Sequence, residues 1–548
     1  MLRFTLAFAF AASLAAQEKV VESIEVKVTN VDVIVTDRAG HSVTGLTKDD
    51  FEILENGKPQ PITNFYEVAP KSEASNARLS TPSPSPTTAP APGAATEDIR
   101  ARRFVIMIDN YSLEPMRRNK VLTAARKFID ANLKPTDQAT VVVWAHGNEV
   151  ITPFTNDKAE IIRGLESIAG RSRVGLSAAG EEQEVKRKCR EMSGDVKSAA
   201  TFEQSWFGCK AEVNEYADSI WANEKSILAA IKSHVSVLAG MDGRKIFVLA
   251  GAALPQNPGR ELGMWAAALF GKDPTRMFGE AGSRRQLIAM TDLARYASTS
   301  GVAFYNIDAA DSDDVTAAES PERADREYAF GSFSDSAASY KLLSDITGGS
   351  ALTGTQNFDS AFETLAHDLT SFYSLGYKPT DAKAGDRKIT VRVKKPGLTA
   401  RARQSFTPRT TEQEMHDRVV ANLFREPDAS TWPIKMTAGE PQRNGDQMDV
   451  PLKVEMDPNI TLLPQGDKLA GGFTLYIVAG MKNGGTSKVS KSERKIEVPA
   501  GEEAEFRSRP IVFTLTLSVR PGDNIISVAV ADSISDATGF DRLEVSAK

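Results

Sequence analysis

The chain has 548 residues, 41% of them hydrophobic and 25% charged, the mix of a folded protein long enough for roughly three or four domains. A net charge of −6 and a pI near 5.7 exclude a global attraction to nucleic acid or anionic lipid. The basic runs at Arg100–Arg103 and Lys186–Arg190 are short and interrupted, so they read as solvated faces.

Residues 1–16 run from one positive charge at Arg3 through apolar Phe4–Ala12 to the small residues Ser13–Ala16. That order is a secretory signal peptide, with cleavage expected after Ala15 or Ala16. The apolar run is too short to span a bilayer comfortably. No later segment reaches spanning length, so the protein is expected to be exported, periplasmic or extracellular, without stable membrane insertion. The two cysteines, Cys189 and Cys209, form a disulfide candidate in such a compartment. Two buried free thiols also fit; a zinc site does not, because no second pair or nearby histidine accompanies them.

Residues 17–69 read as an N-terminal β unit. Val26, Val28, Val31, Val33 and Val35 largely alternate with polar residues, and Asn56-Gly57 is a hairpin signal. Residues 70–99 are rich in Pro, Ser, Ala and Thr and carry little to bury, which predicts a linker.

From residue 100 to 370 the pattern changes. Phe104–Ile108 is a continuous apolar run and Ala139–Ala145 a second, as in strands buried on both faces, and Lys245–Ala250 and Gly301–Asp308 read as two further strands. Helical spacing over Lys120–Leu133, Ala159–Ile168, Ser283–Ser300 and Phe358–Leu369 alternates with them. Strand alternating with helix predicts an α/β fold with a mostly parallel sheet covered on both faces. A charged, helix-prone insertion spans 180–240 and holds both cysteines. A second, from Gln256 to Gly282, is punctuated by Gly and Pro. Insertions of that length in a compact domain are commonly functional.

The period returns to two after Ser371. Residues 371–408 supply strands expected to complete the N-terminal β unit, since neither half buries a core alone. A connecting helix is expected over 409–430. Residues 431–548 carry about seven short strands, which predicts an immunoglobulin-like β-sandwich.

Val33 to Pro59 (VIVTDRAGHSVTGLTKDDFEILENGKP) resembles the N-terminal signature of bacterial VWFA-related proteins of the acidobacterial type. Ser374–Tyr377 with Lys388–Val393 and Arg401–Phe406 resembles its C-terminal counterpart. The resemblance covers about Val20 to Phe406. It implies a doubly wound von Willebrand factor A-like domain flanked by β modules, and a divalent cation site at the carboxyl ends of the strands.

The family's motif there is Asp-x-Ser-x-Ser, with a later Thr and a further Asp. Asp109 stands in place, but the serine positions hold Tyr111 and Leu113, and Ser112 is one residue out of register. Gly251–Leu254 offers no acid after its strand, and the loop Ala169–Ser177 has Ser172 and Ser177 but no Thr. A degenerate metal site is therefore expected, with no resident cofactor and at most weak Mg²⁺ binding at Asp109. Asp109, Asn110, Tyr111 and Ser112 become candidates for metal-free partner binding, beside the plainer reading in which Asp109 orders its own loop.

Catalytic signatures are missing. None of the five histidines forms His-Glu-x-x-His, and there is no Gly-x-Ser-x-Gly elbow or phosphate loop. His146 is the histidine that follows a central strand. The expectation is a non-enzymatic protein–protein interaction or adhesion protein whose partner is an exported or cell-surface protein, or a polysaccharide. An envelope assembly scaffold and an exported hydrolase with an accessory sandwich are the alternatives.

Overall fold

The computed structural model describes residues 29–69, 101–145, 147–171, 178–194, 198–252, 254–273, 286–309, 337–354, 357–379, 385–427, 430–481 and 486–548. The expected signal peptide 1–16 and the expected linker 70–99, with Ser172, Ser177 and His146, lie outside them.

The N-terminal β unit is built from both ends of the α/β domain. Strands β1 (Thr29–Thr36), β2 (Phe51–Glu55), β3 (Lys58–Gln60) and β4 (Ile62–Val68) precede that domain. The domain itself contributes β5 (Arg102–Asp109), β6 (Gln138–Trp144), β7 (Asn148–Thr155), β8 (Arg244–Gly251), β9 (Val302–Asp308) and β10 (Ser350–Leu352). Strands β11 (Phe372–Tyr377), β12 (Arg387–Val393), β13 (Thr399–Ala402) and β14 (Ser405–Phe406) follow it. β1 pairs antiparallel with both β11 and β13, and β2 with β12, giving two four-stranded sheets, β13-β1-β11-β4 and β14-β12-β2-β3. Val31, Val33, Ile53, Tyr373, Leu375 and Ile389 fill one core between them. Each half supplies two strands to each sheet, so neither half closes the core without the other.

The central sheet has the order β10-β9-β8-β5-β6-β7 and is parallel except for β7. β7 is absent from the sequence reading. Its Pro153 argues against a strand, yet an edge position tolerates the missing donor, and β7 is the edge.

Helices lie on both faces. Helices α1 (Pro115–Asn132) and α2 (Lys158–Ala169) pack Val121, Phe128, Ile161 and Leu165 against Phe104, Ile106 and Ile108. α1 begins at Pro115, earlier than the spacing suggests, because proline is preorganised for the first helical position. The insertion forms α3 (Ala178–Gly194) and α4 (Ala199–Ala239); α5 (Arg260–Leu269) lies in the Gly/Pro-punctuated stretch. α6 (Leu287–Thr299), α7 (337–347) and α8 (Phe358–Thr370) complete the layers. α4, α6 and α7 cover the face of Val105, Met107, Phe247 and Leu249, while α8 joins α1 on the other.

The helix α9 (Thr411–Ala421) opens with a Thr410/Gln413 capping box. It leads into strands β15 (Ile434–Ala438), β16 (Gln442–Asn444), β17 (Gln447–Met456), β18 (Leu462–Gln465), β19 (Lys468–Met481), β20 (Ser490–Pro499), β21 (Ile511–Val519), β22 (Gly522–Asp532) and β23 (Thr538–Ala547). They form two antiparallel sheets, a β-sandwich around Trp432, Val450, Val454, Phe473, Leu475 and Val528.

Both β modules attach at the N-terminal ends of the parallel strands. Arg401 donates to the carbonyls of Gly348 and Gly349 and to Asp368, whose carboxylate also accepts from Tyr305 Oη at 2.9 Å. Asp417 on α9 accepts from Ser236 Oγ at 2.8 Å, Tyr296 Oη at 3.1 Å and Arg409. No helix among the described residues is long and apolar enough to cross a membrane.

Candidate functional site

The opposite rim, at the carboxyl ends of the strands, holds the candidate residues. Asp109 ends β5 and is buried. Its Oδ1 accepts from the backbone N–H groups of Tyr111 (3.0 Å) and Ser112 (3.1 Å). That is a side chain closing a turn around its own loop, a use favoured for Asp because its acceptor sits two atoms from the backbone. Asn110 is buried too. Its N–H donates to the Trp144 carbonyl at 2.8 Å, and its Oδ1 accepts from the buried Arg118, which also donates to the Ala169 carbonyl at 2.9 Å. Ser112 is half-buried, and its Oγ accepts from the N–H of Ala252 at 2.9 Å, tying the β5 loop to the β8 loop.

The two positions that would carry hydroxyl ligands face inward instead. Tyr111 belongs to the core on the α4 side of the sheet, and Leu113 to the core on the α1 side. The Tyr111 hydroxyl reaches Glu181 of α3 at 3.4 Å. Burial pushes its phenol far above the usual tyrosine range, and the nearby charges of Glu181 and Asp109 push the same way.

A second buried carboxylate stands on the rim. Gly251 pairs with Asp308, and Ile108 with Ala250, so Asp109, Gly251 and Asp308 form one row across β5, β8 and β9. Facing residues of parallel strands point to the same side, so both acids point toward α7. A Cβ added at Gly251 would lie 2.9 Å from Tyr340 Oη and 3.0 Å from Asp109 Cβ. Glycine is therefore what lets these groups approach. The sequence reading ends a strand at Asp308 without assigning it to the rim; the available signal was its position after an apolar run, the same one that marks Asp109. Among the described residues, no three His, Cys, Asp or Glu side chains gather in a way that could hold a metal ion.

The insertion sits over this rim. Besides Tyr111–Glu181, Trp144 Nε1 donates to Asn223 of α4 at 3.1 Å. α4 has 41 residues, about 60 Å at 1.5 Å per residue, against about 26 Å for an eight-residue strand. Its C-terminal part packs Ile220, Ile227, Leu228, Ile231, Val235 and Leu238 on the sheet. Each such side chain contributes about 1.5–3 kcal/mol of gross burial. Its N-terminal part instead places Trp206, Cys209 and Val213 in a separate core with Val185, Cys189, Trp265 and Phe270. Cys189 and Cys209 are joined by a disulfide in that core. Because α4 runs into β8 at the N-terminal end of the sheet, its other half extends past the rim, away from both β modules. Phe207 lies there, 63% exposed.

No protein-family model matches the chain, and no curated protein matches it. Among solved structures, it is similar to the conserved hypothetical protein BatB from Bacteroides thetaiotaomicron, at 10% identity and a TM-score of 0.22, over 49% of this chain and 96% of that one. It is also similar to the vWF domain of the type V pili tip protein Mfa5 from Porphyromonas gingivalis, at 11% identity and a TM-score of 0.24, over 48% and 94%. Against three N-terminal domains of Mfa5 the values are 9% and 0.25, over 78% and 75%. At these scores the likeness decides nothing about this chain.

Proposed function

We propose that the central unit is a doubly wound von Willebrand factor A-like domain of the bacterial, β-flanked kind, and that the protein is an exported, non-enzymatic interaction or adhesion protein. The strand order, reversing between β8 and β5 with helices on both faces, supports the domain assignment. The charged-apolar-small order of residues 1–16 and the Cys189–Cys209 bond support export.

The rim does not fit an octahedral cation. One oxygen of Asp109 is engaged by two backbone donors, and Tyr111 and Leu113 fill the core where hydroxyl ligands would project. Recognition accordingly moves from the rim loops to the insertion that covers them. The observation that carries this reading is α4, whose second core stands beyond the sheet at the end opposite both β modules. The β modules then act as support, and the partner is another exported or surface-exposed protein.

The test is capture of envelope proteins by the purified chain. Phe207→Glu should abolish a specific partner band, while Tyr66→Ser, at a 39% exposed residue on the N-terminal unit, should leave it intact. Equal capture by both variants would remove the insertion as the recognition surface. Hydrolytic turnover of peptide or glycan substrates by the wild type would remove the non-enzymatic reading.

A further inference from the structure

The C-terminal sandwich has two sides that differ. Along one, the sheets are joined, with β15 lying against β23 and the Trp432 N–H donating to the Thr538 carbonyl at 2.8 Å. Along the other, β20 and β21 are both edges: among the described residues β20 pairs only with β19, and β21 only with β17. Edge strands offer unpaired backbone groups, and proteins blunt them with charge. β20 is blunted in this way by Lys491, Glu493, Arg494, Lys495 and Glu497. β21 is not. Its nine residues, Ile511-Val-Phe-Thr-Leu-Thr-Leu-Ser-Val519, carry no charge and no proline, although Pro510 and Pro521 bound them.

The burial of β21 is also incomplete. Ile511, Phe513, Leu515 and Leu517 point into the sandwich yet remain only half-buried, and Val512 on the outer face is 48% exposed. Arg494 of β20 lies over the Phe513 ring at 4.9 Å, yet the row stays half-open, and the uncharged edge beside it has room and backbone groups for one more strand.

We propose that this strand is β21 of a second copy, paired antiparallel about a two-fold axis through Leu515. The sequence is self-complementary in that register. Ile511 falls opposite Val519, Phe513 opposite Leu517 and Leu515 opposite itself, all on the inner face. Val512 faces Ser518 and Thr514 faces Thr516 on the outer face. Opposed residues of an antiparallel pair share a face, so the register keeps every inward apolar residue inward. No like charges oppose one another, and the Thr–Thr pairs are of a favourable cross-strand type. A two-fold axis requires self-complementarity of this sort. The joined sheets would run continuously across the dimer at the end of the molecule remote from the rim, leaving the insertion free in each copy.

The test is the mass of the purified chain by sedimentation equilibrium up to about 100 μM, the range in which a modest interface is populated. Wild type should approach the dimer mass. Thr514→Glu/Thr516→Glu places Glu against Glu twice across the axis and should weaken the dimer about tenfold or more. Thr514→Glu/Thr516→Lys carries the same first substitution but opposes Glu to Lys twice, and should restore it. Both positions are exposed, so the fold should hold, as matching circular dichroism spectra would show. A monomeric wild type at the highest concentration, or variants that dimerise alike, would overturn the proposal.

Discussion

Removing the Asp109 carboxylate separates a loop-ordering role from a cation-binding one. Asp109→Ala deletes two hydrogen bonds from backbone N–H groups to a charged acceptor, at 3.0 and 3.1 Å. Hydrogen bonds to charged groups contribute about 1.5–3 kcal/mol each, and one of the two donors belongs to the buried Tyr111. Allowing for relaxation of the loop, the loss should be about 2–4 kcal/mol, a large part of a typical stability of about 5–15 kcal/mol. Asp109→Asn keeps an acceptor oxygen and should lose only about 1 kcal/mol. The assay is equilibrium urea unfolding with and without Mg²⁺. A site with a Kd near 10 μM would stabilise the wild type by about 2.7 kcal/mol at about 1 mM Mg²⁺. The expectation is no such shift. The reasoning fails if Asp109→Ala costs less than about 0.5 kcal/mol, or if Mg²⁺ stabilises the wild type and not the variant.

Three other outcomes follow from the packing. Replacing both Cys189 and Cys209 by serine opens a loop of 20 residues, which should cost about 3 kcal/mol in the chain-entropy model and appear as faster hydrogen exchange confined to α3 and the N-terminal half of α4. Asp417→Ala leaves the Ser236 and Tyr296 hydroxyls and the Arg409 guanidinium facing an empty site, and should cost about 3–5 kcal/mol in thermal unfolding. His234 is buried, with Nε2 2.9 Å from Asn148 Oδ1, and burial depresses its pKa to about 4. A histidine kept neutral in the folded state gives stability that is full above its unfolded value of about 6.5 and lost as pH falls toward 4. His234→Gln should therefore flatten the acid limb of the stability curve between those values.

Much of the central sheet is legible because its strands are buried on both faces. Phe104–Ile108 and Ile246–Ala250 announce themselves as unbroken apolar runs. β7 does not, since an edge strand with Pro153 has neither the run nor the alternation. The joining of residues 29–68 to 372–406 is open to argument from strand count, but its register is a tertiary fact that sets Val33 against both Tyr373 and Ala402. At the rim, Asp109 is legible and its company is not. Asp308 lies two strands away and Tyr340 on a separate helix, and no local pattern relates them. The burial of Tyr111 is hidden for the same reason, because the helix that supplies Glu181 begins some 70 residues later in the chain.

That burial bears on where a partner can bind. Asp109, Asn110 and Tyr111 are all under 5% exposed, so a rigid partner cannot touch them while α3 stays in place. Beside the apolar packing of α4 on the sheet, polar contacts among the described residues tether the insertion to the rim, including the 3.4 Å Tyr111–Glu181 contact and the 3.1 Å Trp144–Asn223 bond. Neither is a buried ion pair, and each contributes about 1 kcal/mol. If the rim itself were the recognition surface, Tyr111→Phe would release one tether and raise partner affinity severalfold. If the insertion is the surface, as proposed, the same change should lower affinity or leave it unaltered, because the presented helices lose order and no contact is gained. Titration of a captured partner against wild type and Tyr111→Phe by calorimetry decides between them, and tighter binding by the variant would return recognition to the rim.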